Sequence, residues 1–404
     1  MYLFHRGYPI PISMFMECKF LRNGIAIQYH DVVTPCCVWK SDNQWAQSHT
    51  LHNINFETWH EHPDMVATRD MLKSGEWPDS CISCKIFEDA GRGDSMRLNG
   101  LRAYNEFSDS DITLEIRPGS VCNFACQTCW TSASSRVAHF YEKAGIADGT
   151  VPGLKSVDVN TEKNNLTDFS FLNSIRHRLK NVVILGGEPF YDPKCLDFLE
   201  WCVTNTSSEL MMFTNGSMID FDILQKTKKK TTLVFSIDAT SDAAEYIRYG
   251  TDWGVVLKNF EKCRDMENIE IRVHITISPY SIYYVPDILN MLSSNWPSVV
   301  SFGEPDDPKF SKSIIPPSLR PKMIDRLELC ISNLSIANIE EGQKSNAMNA
   351  LKSTIDSLSH SIYDANLHRE FIDFVHKMDK VKNMNLVDKC PEISDLLVVS
   401  ETTW

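Results

Sequence analysis

The chain has 404 residues, 43% of them hydrophobic and 23% charged, which suits a globular protein with one large domain plus appendages, or two to three domains. Its formal net charge of −13 argues against broad binding to nucleic acid or to an anionic membrane, since both favour basic surfaces. No apolar stretch reaches the roughly 20 residues of a membrane span, and the opening MYLFHRGYPIPISMF has no long apolar region behind a basic start, so a cytoplasmic protein without a signal peptide is expected.

Taken in chain order, residues 1–110 are irregular and rich in Trp, His, Asn and Asp. Only a strand at Ala26–Tyr29 and a helix near Asp64–Ser74 stand out. Cys36 and Cys37 are adjacent here, and Cys81 and Cys84 form CISC, so this region reads as a module held by something other than a large core. His60 and His62, either side of Glu61, read as surface polar residues.

From 111 to 303 short β-branched runs alternate with helical segments. The expected strands are Ile112–Ile116, Val182–Leu185, Leu210–Phe213, Leu233–Ile237, Ile269–Ile277 and Val299–Phe302. The expected helices are Ser132–Lys143, Pro193–Thr204, Asp220–Thr227, Trp253–Glu267 and Pro286–Ser293. The basic run Lys226–Lys230 falls at a helix end, where cations suit the macrodipole. Six βα repeats imply a parallel sheet with right-handed crossovers but are too few for a closed eight-stranded barrel. The expected fold class is therefore α/β: a partial (βα)6 TIM-like barrel, with an irregular N-terminal metal-binding module and a C-terminal helical extension. Active sites on such sheets lie at the carboxyl ends of the strands.

Residues 304–404 read as amphipathic helices at Pro317–Ser332, Ile339–Ser359 and Arg369–Met378. They carry no catalytic motif and are expected to pack on the barrel or form an interface.

The chain has 13 cysteines, a high count for an intracellular enzyme. Cys195, Cys202, Cys263, Cys330 and Cys390 are scattered among apolar residues and read as small buried hydrophobes. The stretch CNFACQTCW differs, because it places Cys122, Cys126 and Cys129 on one loop just after the first barrel strand. CxxxCxxC is not a usual zinc spacing, and zinc would need a fourth ligand nearby. Thiolates also hold iron–sulfur clusters, which normally take four cysteines. Three on one loop leave one iron open to chelation by a small molecule.

This arrangement resembles the radical SAM superfamily, in which the missing ligand is S-adenosylmethionine (SAM), bound through its amino and carboxylate groups. The resemblance continues along residues 111–303. LGGEP after the second strand, with Gly186, Gly187, Glu188 and Pro189, looks like the GGE motif that holds the SAM amino group. Glycines let the chain pass close to a ligand, and Glu188 supplies an acceptor for an ammonium. FTNG after the third strand, with Thr214 and Asn215, is similar to the motif found there in the family. FSIDA and YIRYG follow the fourth, and the resemblance implies that Ser236 and Arg248 hold the SAM carboxylate while Asp238 contacts ribose or substrate. One departure concerns adenine. The family places an aromatic or large apolar residue before the third cysteine, but here it is Thr128, which shifts adenine contact to Trp130 or to Ile277–Tyr280.

Cys18, Gly24 and Cys36–Cys37 resemble the opening of the SPASM and twitch modules, which hold an auxiliary [4Fe–4S] cluster in many peptide-modifying relatives. The resemblance implies four ligands from Cys18, Cys36, Cys37, Cys81 and Cys84, in a module permuted to precede the barrel. FIDFVHKMDKVKNMNLVDKCPEI, residues 371–393, is similar to the C-terminal tail of twitch-type proteins. The rival is a structural zinc site built on Cys81 and Cys84 with two of Cys36, Cys37, His60 and His62.

The resemblance implies two [4Fe–4S] clusters and SAM as cofactors. A reduced cluster passes one electron into the SAM sulfonium, and the resulting 5′-deoxyadenosyl radical removes a hydrogen from substrate. The expected partners are a peptide or small-molecule substrate and an electron donor such as flavodoxin or ferredoxin. A dehydrogenase or epimerase acting on a small polar molecule is the alternative. A non-catalytic iron–sulfur or zinc scaffold is a further one, with no use for Glu188 or Arg248.

Overall fold

A computed structural model of the protein describes residues 2–5, 8–11, 17–28, 31–89, 95–104, 106–146, 166, 168–294 and 296–400. Residues 1, 6–7 and 12–16 of the opening segment, and Tyr29 of the expected first strand, lie outside the described residues.

The central element is an 8-stranded sheet. Its strands are β1 (Gly24–Ile27), β2 (Val33–Thr34), β3 (Ile112–Ile116), β4 (Leu179–Ile184), β5 (Glu209–Thr214), β6 (Thr231–Ser236), β7 (Ile269–Thr276) and β8 (Val299–Gly303). The spatial order is β8-β7-β6-β5-β4-β3-β1-β2, parallel throughout except for β2. The six strands expected between 111 and 303 form its body, with helices between them, as an open partial barrel requires. β4 begins three residues before the expected start, because Lys180 and Asn181 interrupt the apolar run but not the backbone pairing, in which Asn181 stands opposite Thr113.

The sheet is wider than six strands. Gly24–Ile27 of the N-terminal region pairs with β3 in parallel, with Ile25 opposite Leu114, and β2 then closes the edge. A two-residue strand leaves no periodicity to read, and β1 has no regular βα unit around it to mark it as part of the barrel.

Alternation on the strands sorts their faces. On β7, Ile269, Ile271, Val273 and Ile275 are buried, while Glu270, Arg272, His274 and Thr276 take the other face. Helices cover the apolar face: Phe235 of β6 meets Phe260 of helix Trp253–Arg264 edge-on at 5.1 Å. The opposite face carries Glu115, Arg117, Arg272 and His274 and can receive a polar ligand.

The C-terminal extension forms helices Arg320–Ile336, Glu341–His360 and Ala365–Lys382. The last packs on helix Ser135–Ala144, where Phe374 meets Tyr141 at 5.7 Å. Cys195, Cys202, Cys263, Cys330 and Cys390 are all buried. The basic run follows helix Phe221–Gln225, and Lys230 pairs with Glu270 at 2.9 Å. Among the described residues, no helix is long and apolar enough to cross a membrane.

Candidate active site

The carboxyl ends of β3 to β7 converge on one rim, and the loop after β3 is its centre. Phe124 and Ala125 are buried and anchor this loop. Ala125–Cys126 pairs antiparallel with Arg248–Tyr249, which sets Cys126 opposite Arg248. Gln127 donates its backbone N–H to Ile247 at 2.8 Å, and Ser134 donates its hydroxyl to the Phe124 carbonyl at 2.8 Å while capping the next helix. The chain is thus bent so that Cys122, Cys126 and Cys129 come together, half-buried and without a disulfide. Burial pushes the Cys122 thiol up to about 12, with Cys126 adding to the shift, and it raises Cys126 and Cys129 as well. Arg248 pulls all three down. Three clustered thiols that resist ionisation without a counter-charge, beside a fixed guanidinium, suit a cationic metal cluster.

The turn after β4 locks onto this loop. Gly186 has φ +107°, and a Cβ on Gly187 would stand 1.9 Å from the Val121 carbonyl oxygen. The Glu188 N–H donates to that carbonyl at 2.9 Å, and the Val121 N–H donates to the Asp192 carboxylate at 2.9 Å. The close approach that Gly187 permits is therefore to the cysteine loop itself. Glu188 is 1% exposed. It accepts from the Thr214 hydroxyl at 2.6 Å and from the Asn215 N–H at 2.6 Å, which joins the turns after β4 and β5. Burial lifts its carboxyl to about 7 despite these donors. Asn215 in turn donates to the Asn123 side chain at 2.9 Å, back on the cysteine loop.

At the end of β6, Ser236 is half-buried and Asp238 is buried. Asp238 accepts from Arg248 at 2.8 Å and from the Thr276 N–H at 2.7 Å, so its carboxylate orients Arg248. Burial works against the Arg248 charge, and the neighbouring Cys126 and Asp238 outweigh it. Its Nε is buried without a hydrogen-bond partner. That orphaned donor, on a side chain facing the thiols, fits the carboxylate of a chelating amino acid group such as that of SAM. Trp130 is half-buried beside Cys129, whereas Tyr280 is fully buried and packs on Phe371 at 5.1 Å.

Sequence reasoning missed two residues here. Asp192 joins the cysteine loop to helix Pro193–Asn205, which it also caps. Lys382, on the last long helix, is 3% exposed and donates to the Ala125 carbonyl at 2.8 Å and to Gln127 at 3.0 Å. Burial lowers its ammonium to about 7, while Cys126 and Asp379 favour the charge. A cation under the loop offsets thiolate charge, so the C-terminal extension does reach the site.

The N-terminal cysteines also converge. Cys18, Cys36, Cys81 and Cys84 line one cavity with Trp39 and Arg97. The Arg97 guanidinium is 3% exposed, pairs with Glu88 and lies over Trp77 at 5.5 Å. It favours the thiolate forms of Cys18, Cys81 and Cys84, against the burial that raises them. Cys37 instead faces Glu115 and Arg117, with burial the main cause of its raised pKa. Neither His60 nor His62 lines the cavity.

The molecule is thus an open α/β sheet that carries three free thiols on its first rim loop. Residues 116–292 match the model of the radical SAM superfamily, and SAM and a [4Fe–4S] cluster are the cofactors that such a domain would hold. No curated protein matches the chain. Among solved structures, it is similar to native anSMEcpe with bound AdoMet, at 16% identity and a TM-score of 0.37 over 55% of this chain and 60% of that one. It is also similar to Streptococcus suis SuiB bound to S-adenosylmethionine, at 14% identity and a TM-score of 0.35 over 71% of this chain and 63% of that one. SuiB bound to its precursor peptide SuiA matches at 14% identity and a TM-score of 0.35, over 72% and 64%. The chain thus spans about three fifths of the length of these proteins.

Proposed function

We propose that the protein is a radical SAM oxidoreductase that abstracts hydrogen from a peptide or protein side chain, with an auxiliary [4Fe–4S] cluster in its N-terminal region. The observation that carries the catalytic reading is the convergence of Glu188, Asp238 and Arg248 around three free thiols, with the Arg248 Nε unpartnered. Bound together, the cluster and SAM supply one-electron cleavage of the sulfonium and radical hydrogen abstraction.

The chain's own residues bind and orient. Cys122, Cys126 and Cys129 would hold the cluster. Glu188 would accept from the SAM amino group, and its bonds to Thr214 and Asn215 keep that acceptor in place. Arg248, held by Asp238, would pair with the SAM carboxylate. Ser236 stands at the same strand end. Rim loops that exclude water once SAM is bound would preserve a reactive species for substrate. The cavity of Cys18, Cys36, Cys81 and Cys84 supports an auxiliary cluster, since it offers four thiols and one buried guanidinium to balance their charge. The peptide reading rests on the likeness of these cysteines to SPASM and twitch modules, and an electron donor such as flavodoxin or ferredoxin would complete the cycle. The polar sheet face also suits a small polar substrate, the second reading.

Titrating SAM into reconstituted variants tests this assignment. Glu188→Gln and Arg248→Ala each remove one charge-assisted contact of about 1.5–3 kcal/mol, which weakens SAM binding by roughly tenfold to a hundredfold. Iron content and cluster absorbance should persist in both. Wild-type affinity in both variants, with clusters intact, would remove the assignment.

A further inference from the structure

Outside the rim and the four-cysteine cavity, three further side chains meet. His49 follows the short helix Asn43–Ser48, His62 follows the turn Trp59–Glu61, and Asp64 lies in the first turn of helix Pro63–Lys73. One ligand atom from each lies within 4.8 Å of the others. The sequence places His62 on a polar, exposed stretch, and nothing in its spacing points to His49.

His49 is 3% exposed, and its ring is fixed. It stacks on Trp45 at 3.7 Å and meets the His62 ring edge-on at 4.8 Å. Its Nδ1 lies 3.3 Å from the Trp45 carbonyl oxygen and 3.0 Å from the Ser48 hydroxyl. Its Nε2 lies 3.0 Å from Asp64 Oδ2 yet makes no aligned hydrogen bond, although it is buried. With Nδ1–H donated to the Trp45 carbonyl, the Nε2 lone pair faces a carboxylate oxygen. Two acceptors in that position call for a cation between them. A backbone carbonyl holding the far nitrogen is also the usual support of a metal-ligating histidine. Asp64 Oδ2 stands 3.7 Å from His62 Nδ1. Ligands bound to Zn²⁺ at 2.0–2.1 Å with tetrahedral angles stand about 3.3 Å apart, close to both separations.

We propose that His49 Nε2, a ring nitrogen of His62 and the Asp64 carboxylate form a divalent-cation site of the zinc class, with water completing the coordination. Two imidazole nitrogens and one carboxylate suit Zn²⁺ rather than Ca²⁺ or Mg²⁺, which prefer oxygen ligands. The Asp64 and His62 side chains are 52% and 37% exposed, so the ion has a path in from solvent. The site would staple three pieces of chain that share little strand pairing. It would also brace the neighbouring cavity, because Trp45 packs on Trp39 at 4.8 Å and Trp39 lines that cavity. The site is independent of the radical SAM assignment.

The test uses full-length, anaerobically reconstituted protein, freed of loosely held metal by chelator and then titrated with Zn²⁺ against a chelating dye. Wild type should take up one Zn²⁺ per chain beyond its iron. Asp64→Asn and His62→Gln alter half-exposed side chains and should keep the fold and the iron, while weakening Zn²⁺ binding by more than about a hundredfold. Co²⁺ at the site should show visible d–d bands without thiolate charge-transfer bands. The proposal is overturned if wild type binds no Zn²⁺, if both variants keep wild-type affinity, or if Co²⁺ shows thiolate bands that place the ion on cysteines.

Discussion

Cys126→Ala should abolish 5′-deoxyadenosine formation and remove about four of about eight irons per chain, with the fold intact. The substitution is mild for the backbone. Cys126 is held by its ladder with Arg248 and by the neighbours Ala125 and Gln127, through the contacts of Lys382 and Ile247. None of these uses the sulfur. The residue is half-buried and the change removes a single sulfur atom, so its loss leaves little cavity. What disappears is one of three protein ligands, and two cannot hold a cluster with an open iron. The check is iron analysis together with chromatography of the SAM products. A folded Cys126→Ala protein that still made 5′-deoxyadenosine at the wild-type rate would show that the cluster is not ligated there.

Cys36→Ala and Cys37→Ala should part company, although the two residues are adjacent. Cys36 lines the cavity with Cys18, Cys81 and Cys84, whereas Cys37 points to Glu115 and Arg117. Cys36→Ala, like Cys84→Ala, should lose about four irons and keep substrate-free SAM cleavage, because the rim cysteines are untouched. Cys37→Ala should keep the full iron complement. Metal analysis and 5′-deoxyadenosine assays on the same preparations decide it. Iron loss in the Cys37 variant alone would reverse the ligand choice. Zinc at one per chain, abolished by Cys36→Ala, with iron near four, would replace the auxiliary cluster by a zinc site.

Much of the barrel is legible in the sequence because β-branched runs such as Ile269–Thr276 alternate between faces. The three rim cysteines are legible for another reason: they sit on one loop at short spacing. What was not legible depends on contacts across long stretches of chain. Val33–Thr34 is too short to show a period, and β1 reaches the sheet only by pairing with β3. Lys382 reads as one more polar residue on an amphipathic helix, and its partner Ala125 lies 257 positions earlier. The difference between Cys36 and Cys37 is invisible in a pair of neighbours, and only the fold turns Cys36 to the cavity and Cys37 to Glu115 and Arg117. His49 carries no motif, and only folding brings it to His62 and Asp64.

Binding of SAM at the rim for reductive cleavage is read out by one assay. Wild-type protein is reconstituted anaerobically, given SAM and dithionite, and its products are quantified by mass spectrometry. 5′-Deoxyadenosine and methionine should accumulate together with time. A fully iron-loaded protein that leaves SAM intact under these conditions would contradict this reading.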